Sequence, residues 1–216
     1  MRAIQVLFLT QFFVVISLCS QSESFARKDY PWSMFLPSIV KGQPVSPPPP
    51  PVIIADRYQV MGQNGEIIKD IVNNLEWQRC SVGQTWNPAT KNCDGTTTGY
   101  DWYTANAQVF ENGWRMPTRE EIGSLVYCST GDPFLIGNIY DVTCNGEYTR
   151  PTIVVEAFPN VPGEENLLPA HYWTSSSNDN DPDMAWVVNF YKGNAGDDGT
   201  KFTPGLSIRL VRTPAN

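Results

Sequence analysis

Residues 114–122 read Trp-Arg-Met-Pro-Thr-Arg-Glu-Glu-Ile, and this stretch carries the clearest local structural signal in the chain. Thr118 and Glu121 have the spacing of a capping box, in which the Thr118 hydroxyl accepts from the Glu121 amide and the carboxylate reaches back. Pro117 suits the turn before the cap. The apolar residues of the next turn predict the buried face of a helix that begins here.

The segments on either side of this helix predict a second helix and several strands. Residues 101–110 carry apolar side chains at nearly helical spacing, and the Asn112-Gly113 pair ends that helix. Composition and two-residue periodicity predict strands at 57–61, 66–72, 75–79, 152–155, 171–175, 185–191 and 206–212. Residues 81–99 are predicted to form a loop. Strands, then two helices, then strands again indicate an α+β fold with a largely antiparallel sheet.

We interpret the tryptophan and arginine of the opening stretch as structural residues. Trp114 is expected to bury a large apolar area and to donate its indole N–H to a backbone carbonyl. Arg115 is placed to pair with Glu120, Glu121 or a buried carbonyl. Core packing is the commoner role for residues in such a position, so we prefer it to a functional role.

The first 26 residues have the features of a secretory signal peptide. Arg2 precedes an apolar run at 4–18, which is shorter than the ~20 residues of a membrane span. Ser24-Phe25-Ala26 supplies a small-x-small cleavage site, after which no stable transmembrane segment is expected. An uncleaved N-terminal anchor is the alternative. Residues 27–56 follow as a linker, stiffened by consecutive prolines at 47–51 that favour polyproline II.

Four cysteines follow the predicted signal peptide: Cys80, Cys93, Cys128 and Cys144. An even number in an exported chain indicates disulfides. Of the three pairings that four cysteines allow, the polar loops between successive cysteines favour 80 with 93 and 128 with 144. Each bridge is expected to stabilise the fold by about 3 kcal/mol. A zinc site is the weaker alternative, because no CxxC spacing occurs and His171 is the only histidine.

Charge and side-chain chemistry exclude several classes of function. The net charge is −7, and no block of basic residues occurs, which argues against nucleic-acid binding. The single histidine lies between predicted strand residues, and the serines at 175–177 have no evident base. No Gly-x-Ser-x-Gly elbow is present, and oxidised cysteines supply no thiol nucleophile. We therefore expect a non-catalytic protein.

The acidic segment 178–183, Asn-Asp-Asn-Asp-Pro-Asp, is the most interesting candidate site, and it lies between two predicted strands. The residues predicted to contact a ligand are Asp179, Asp181, Asp183, Trp173 and Trp186. Clustered carboxylates suit calcium, which takes six to eight oxygen ligands. The predicted calcium ligands are Asp179, Asp181, Asp183, Asp197 and Asp198, with the last two on the next loop. A solvated, turn-rich loop is the alternative, and we prefer it because no ligand spacing matches a defined calcium loop.

Five short motifs occur in a fixed order: Leu75-Glu76-Trp77-Gln78-Arg79, the stretch 114–122, Tyr172-Trp173-Thr174-Ser175-Ser176, Ala185-Trp186-Val187-Val188-Asn189-Phe190 and Ile208-Arg209-Leu210-Val211-Arg212. In this combination they resemble the C-terminal domain of the Legionella collagen-like proteins. The resemblance covers about residues 57–212. The residues of these motifs that we expect to be structural are Trp77, Trp114, Arg115, Pro117, Thr118 and Glu121.

The resemblance implies a fold similar to that of C-type lectins, with an antiparallel sheet, two helices and long disulfide-pinned loops over residues 57–216. The best-known members of the family are adhesins, in which a collagen-like stem trimerises and the tip binds sulfated glycosaminoglycans. This chain has no Gly-x-y repeat and carries a net charge of −7, so it departs from those members in both respects.

The expected function is that of an exported, non-catalytic binding module in the periplasm, at the bacterial surface or secreted. The resemblance favours adhesin-like recognition of a glycan or a surface protein. A structural or assembly component of an envelope or surface structure is the alternative, and an enzyme ranks last. We expect no cofactor apart from calcium at the acidic segment.

Overall fold

The computed structural model describes residues 49–129, 144, 147–162 and 170–215, without the side chains of 195–198. All of them belong to one compact unit, Pro48–Asn216. The predicted signal peptide and most of the predicted linker lie outside the described residues. No helix in the described part of the chain is long and apolar enough to cross a membrane.

The described chain forms ten strands and two short helices. In chain order they are β1 Ile53–Ile54, β2 Tyr58–Met61, β3 Ile67–Asp70, β4 Leu75–Gln78, β5 Thr85–Asn87, β6 Asn92–Asp94, α1 Trp102–Asn106, α2 Arg119–Gly123, β7 His171–Ser177, β8 Met184–Asn189, β9 Asn194–Thr200 and β10 Val211–Arg212. Every pairing between these strands is antiparallel. The predicted α+β class with a largely antiparallel sheet is confirmed.

A five-stranded sheet has the order β1-β2-β3-β4-β10. Its first strand, β1, lies within the segment that the sequence analysis assigns to the linker, so the sheet begins before Arg57. Gly62 and Gly65 take φ angles of 85° and 78° in the β2–β3 turn, a conformation that glycine adopts without strain. Asn74 has a φ of 52° in the turn before β4.

A three-stranded sheet has the order β7-β8-β9, and a two-stranded hairpin pairs β5 with β6. The sequence analysis predicts neither β5, β6 nor β9. The prediction that Asp197 and Asp198 lie on a loop is wrong, because both are in β9 and pair with Val187 and Trp186 of β8. The sequence of β9, Asn-Ala-Gly-Asp-Asp-Gly-Thr, lacks the β-branched and aromatic residues that signal a strand.

The capping box at α2 is present as predicted. The Glu121 amide donates to the Thr118 hydroxyl, and the Glu121 carboxylate accepts from the Thr118 amide. Helix α1 is shorter than predicted, because it ends at Asn106 rather than continuing to Phe110. Val109, which the helical pattern places on the buried face, is 94% exposed. A longer helix would therefore gain no apolar burial from that side chain.

Two strand predictions need correction. Residues 152–155 do not form a strand. The amides of Ala157 and Phe158 both donate to the Val154 carbonyl, and these two hydrogen bonds close a turn. Residues 206–212 form a strand only at Val211–Arg212. All residues from 206 to 211 are buried. The alternating residue types along this segment therefore do not correspond to alternating buried and exposed positions, as they would in a half-buried strand.

The core has two clusters that meet at the three-stranded sheet. One lies between the five-stranded sheet and α2 and includes Trp77 and Ile122. The other surrounds Trp173 and includes residues of β8 and of 206–210. Because neighbouring strand residues point to opposite faces, Tyr172 packs in the first cluster and Trp173 in the second.

Both predicted disulfides are present. Cys80 is bonded to Cys93, and Cys128 to Cys144. The first bridge joins the end of β4 to β6, so it holds the β5–β6 hairpin against the five-stranded sheet. Most of the loop closed by the second bridge lies outside the described residues.

Candidate ligand-binding site

A pocket of about 590 Å³ opens between α2 and the connection from β7 to β8; we call it the loop pocket. Its lining is Arg119, Glu120, Ser176, Ser177, Asn178, Asp179, Asn180 and Trp186. Polar side chains dominate this set, with one indole among them. The pocket therefore offers several hydrogen-bonding groups around a single aromatic surface.

The opening stretch 114–122 fixes one wall of the loop pocket. The Pro117 carbonyl accepts from both the amide and the hydroxyl of Ser175, at 2.8 and 3.1 Å. The Arg119 amide donates to the Ser176 hydroxyl at 3.0 Å. These bonds tie the start of α2 to β7, so the helix and the strand hold their pocket-lining residues in a fixed relation.

An ion pair between Arg115 and Glu121 stabilises the start of α2, which forms this wall of the pocket. Arg115 donates two hydrogen bonds to the Glu121 carboxylate, at 2.7 and 2.6 Å, as the sequence analysis anticipated. Burial alone would raise the pKa of Glu121, but the hydrogen bonds from Arg115 and from the Thr118 amide bring that pKa below its ordinary value. The Glu121 carboxylate thus takes part both in the capping box and in the ion pair with Arg115.

The Glu121 contacts predict a stability change at acid pH. A carboxyl whose folded-state pKa is lowered contributes stability above its unfolded pKa, and that contribution is lost as the pH falls. We expect Glu121→Gln to be destabilising near neutral pH, with the difference from wild type shrinking below about pH 4.3. Urea unfolding across this range measures it. Glu120→Gln, which removes the same charge one residue away, is the control, and an equal pH-dependent difference for it would contradict this account.

A stacked pair forms the back of the pocket. The Arg119 guanidinium carbon lies 3.5 Å from the centre of the Trp186 ring. Arg119 is 1% exposed, whereas Trp186 is only partly buried. Because cation–π attraction is stronger when the charge is shielded from water, this pair fixes the indole plane. Trp186 thus presents a rigid aromatic surface to the pocket.

The β7–β8 connection is held by its own hydrogen bonds and by a lysine. The Asn180 amide donates to Asn178 Oδ1 at 2.9 Å, a turn that asparagine favours. Lys201 Nζ donates to the Pro182 carbonyl at 2.6 Å and to the Ser177 hydroxyl at 2.7 Å. The loop is therefore formed before any ligand arrives.

A family model, that of the Lcl C-terminal domain, matches residues 66–212 of the chain. The chain belongs to the Lcl C-terminal domain family. The resemblance noted from the five sequence motifs is thereby confirmed. No curated protein and no solved structure matches the chain significantly. The matched range contains every residue of the loop pocket.

The Lcl C-terminal domain brings only some of the predicted ligand contacts together. Asp179 and Trp186 line the loop pocket. Asp181 and Asp183 are exposed on the same connection but outside the pocket lining. Trp173, which is also predicted to contact a ligand, lies outside the pocket lining; its side chain is fully buried and its indole donates to the Tyr100 carbonyl at 2.9 Å.

Of the predicted calcium ligands, the structure describes the side chains of Asp179, Asp181 and Asp183. Among the described side chains, no group of three or more histidine, cysteine, aspartate or glutamate residues could hold a metal ion. The side chains of Asp197 and Asp198 lie outside the described set. In the acidic segment, Asp181 Oδ1 accepts from the Asp183 amide at 3.0 Å, so one of its oxygens stabilises the turn.

Sequence reasoning missed six of the eight pocket residues, among them Arg119, Ser176 and Asn180. Arg119 stands in the first turn of a well-signalled helix, but nothing local indicates that it lies on Trp186. Ser176 belongs to the motif at 172–176, but no neighbouring residue in the sequence indicates that its hydroxyl lines a pocket. Asn180 lies inside the acidic segment, where calcium chemistry points to the neighbouring carboxylates rather than to an amide. The missing information is tertiary, since α2 and β8 meet only in the folded chain.

Trp114 differs from its predicted role in the core. It is partly buried rather than enclosed, and the Arg212 guanidinium carbon lies 4.4 Å from its ring centre. It still packs against the second core cluster. Trp77, by contrast, is fully buried, as expected of a structural residue.

Proposed function

We propose that this Lcl C-terminal domain acts outside the cytoplasm as a non-catalytic binding module, and that the loop pocket is its ligand site. The two disulfides favour an oxidising compartment, such as the periplasm or the bacterial surface. A C-type-lectin-like fold is part of the proposal. Antiparallel sheets, two short helices and disulfide-pinned loops support it.

The observation that carries the proposal is the fixed Trp186 indole with Asp179 in the same pocket. A preformed aromatic surface beside hydrogen-bonding groups binds ligands without a large ordering cost. The exposed charges at the rim are the carboxylates of Glu120 and Asp179. They favour a glycan or a protein surface that presents hydrogen-bond donors, in an adhesin-like role, over a polyanion.

A screen of the full chain tests this function. The chain is applied to an array of neutral, amine-bearing and sulfated glycans and to a displayed peptide library. We expect a ligand whose binding falls about tenfold or more in Trp186→Ala, and several-fold in Asp179→Asn, because the aromatic surface and a hydrogen bond are lost. Tyr103→Ala, an exposed aromatic outside the pocket, is the control.

The same screen is run with calcium and with a chelator. Binding that requires calcium and is lost in Asp181→Asn and Asp183→Asn would extend the site to a calcium ion. Calcium-dependent binding that survives both substitutions would exclude the acidic segment as the metal site. Ligand hydrolysis by the purified chain would overturn the non-catalytic assignment.

A further inference from the structure

A second groove, separate from the loop pocket, lies on the outer face of the five-stranded sheet between two tryptophans. Its volume is about 380 Å³. This falls within the ~300–1,000 Å³ of small-molecule sites. Its main lining residues are Ile67, Gln78, Trp86, Asn112, Trp114 and Arg212. We call it the tryptophan groove, and none of its residues lines the loop pocket.

Trp86 is fixed on one side of the tryptophan groove. Its indole nitrogen donates to the Asn64 carbonyl in the β2–β3 turn at 2.9 Å. The Arg79 guanidinium carbon lies 4.0 Å from the ring centre. Trp86 also pairs with Cys93, whose disulfide to Cys80 anchors the hairpin to the end of β4. The ring is therefore held by a hydrogen bond, a stacked cation and a covalent bridge.

Trp114 is fixed on the other side, beside β10. The next residue, Arg115, exchanges two backbone hydrogen bonds of 3.0 Å with Val211. Arg212 stacks on the Trp114 ring and is itself held by Glu76 at 2.7 Å. Ile67 and Gln78, which pair across β3 and β4, lie on the sheet between the two tryptophans.

The polar groups of the groove suit uncharged hydroxyl groups. The side-chain amides of Gln78 and Asn112 form no hydrogen bond to any other described residue, so each offers a donor and an acceptor side by side. Adjacent hydroxyls of a sugar ring accept and donate in the same way. A proline-rich peptide offers carbonyl acceptors but few donors, so it would leave the amide oxygens unpaired.

The charged groups of the groove are already engaged. Arg212 pairs with Glu76, and the Glu66 carboxylate accepts from the Asn64 amide at 2.9 Å. These contacts occupy part of each charged group, and the net charge of −7 disfavours polyanions. From two fixed indoles and two available amides, we propose that the tryptophan groove binds a neutral oligosaccharide, with sugar rings stacked on Trp86 and Trp114.

Titrations of the full chain with uncharged glucan, mannan, galactan and N-acetylglucosamine oligosaccharides test the proposal by calorimetry. We expect saturable binding of at least one series, weakened about tenfold or more by Trp86→Ala and by Trp114→Ala. Gln78→Ala, which leaves both indoles in place, is expected to weaken binding several-fold, and it decides the question if a tryptophan variant fails to fold. Phe202→Ala, an exposed aromatic elsewhere, should change nothing.

Trp186→Ala separates this site from the loop pocket. It is expected to leave intact the binding that depends on Gln78, Trp86 and Trp114, so the groove proposal and the proposed function are tested independently. Absence of binding to every neutral series would overturn the proposal. So would binding that is insensitive to Gln78→Ala, Trp86→Ala and Trp114→Ala. Binding of a proline-rich peptide or a sulfated glycan in the groove, with no neutral sugar, would overturn it as well.

Discussion

Asp70→Ala is expected to lower the free energy of unfolding by about 3–5 kcal/mol, because the buried Arg57 guanidinium loses the carboxylate that balances its charge. Asp70 is fully buried, and Arg57 donates to its two carboxylate oxygens at 3.0 and 2.5 Å. The same carboxylate accepts from the Val72 amide and from the Asn73 side chain, at 3.1 and 2.9 Å. Arg57 also donates to the Ser124 carbonyl at 2.9 Å, which joins the sheet to the end of α2.

Urea unfolding of the purified chain measures this effect. Lys69→Ala, on the adjacent residue of the same strand, is the matched control and should cost well under half as much, as most partly exposed substitutions do. The double variant Arg57→Met with Asp70→Leu should be less destabilised than the sum of the single changes, since no buried charge remains. A loss below about 1 kcal/mol for Asp70→Ala would show that this pair does not stabilise the sheet.

Trp173→Ala should also destabilise the chain by about 3–5 kcal/mol, through a large cavity in the second core cluster. The Trp173 ring packs so tightly that a Cβ on Gly199 would lie 3.2 Å from it. Trp173→Phe should cost less, because it keeps most of the apolar contact and loses mainly the hydrogen bond to the Tyr100 carbonyl. Thermal unfolding ranks the two variants.

The same pair of variants separates a core role from a binding role for Trp173. Trp173→Phe should leave ligand affinity at the loop pocket unchanged while lowering stability. A loss of affinity without a loss of stability would support the prediction that this residue contacts ligand. Trp186→Phe in β8 provides the matched comparison, because that ring lines the pocket and is only partly buried.

Local signals in the sequence predicted much of the fold. The capping box at Thr118 and both disulfides depend on residues close in the chain, and they appear as expected. The predicted helix at 101–110 is longer than α1, because Val109 fits a helical pattern in the sequence but is exposed in the structure. Strand β9 was missed because its pairing with β8, rather than its own composition, stabilises it.

The candidate site was only partly predictable for the same reason. Asp179 and Trp186 flank one connection, so local sequence brought them together correctly. Arg119 reaches Trp186 from a distant helix, and only the folded chain shows the contact. Trp173 resembled Trp186 in its strand setting, yet it points to the opposite side of the three-stranded sheet, into the core. The tryptophan groove brings together Trp86 of β5 and Trp114, which belong to no common sequence motif.

The most direct test of the loop pocket is the dissociation constant of the selected ligand for the full chain and for Trp186→Ala. The account predicts a rise of about tenfold or more for Trp186→Ala, measured at a temperature at which thermal unfolding shows both proteins to be folded, and no change for the Tyr103→Ala control. Equal affinities for wild type and Trp186→Ala, with both proteins folded, would contradict it.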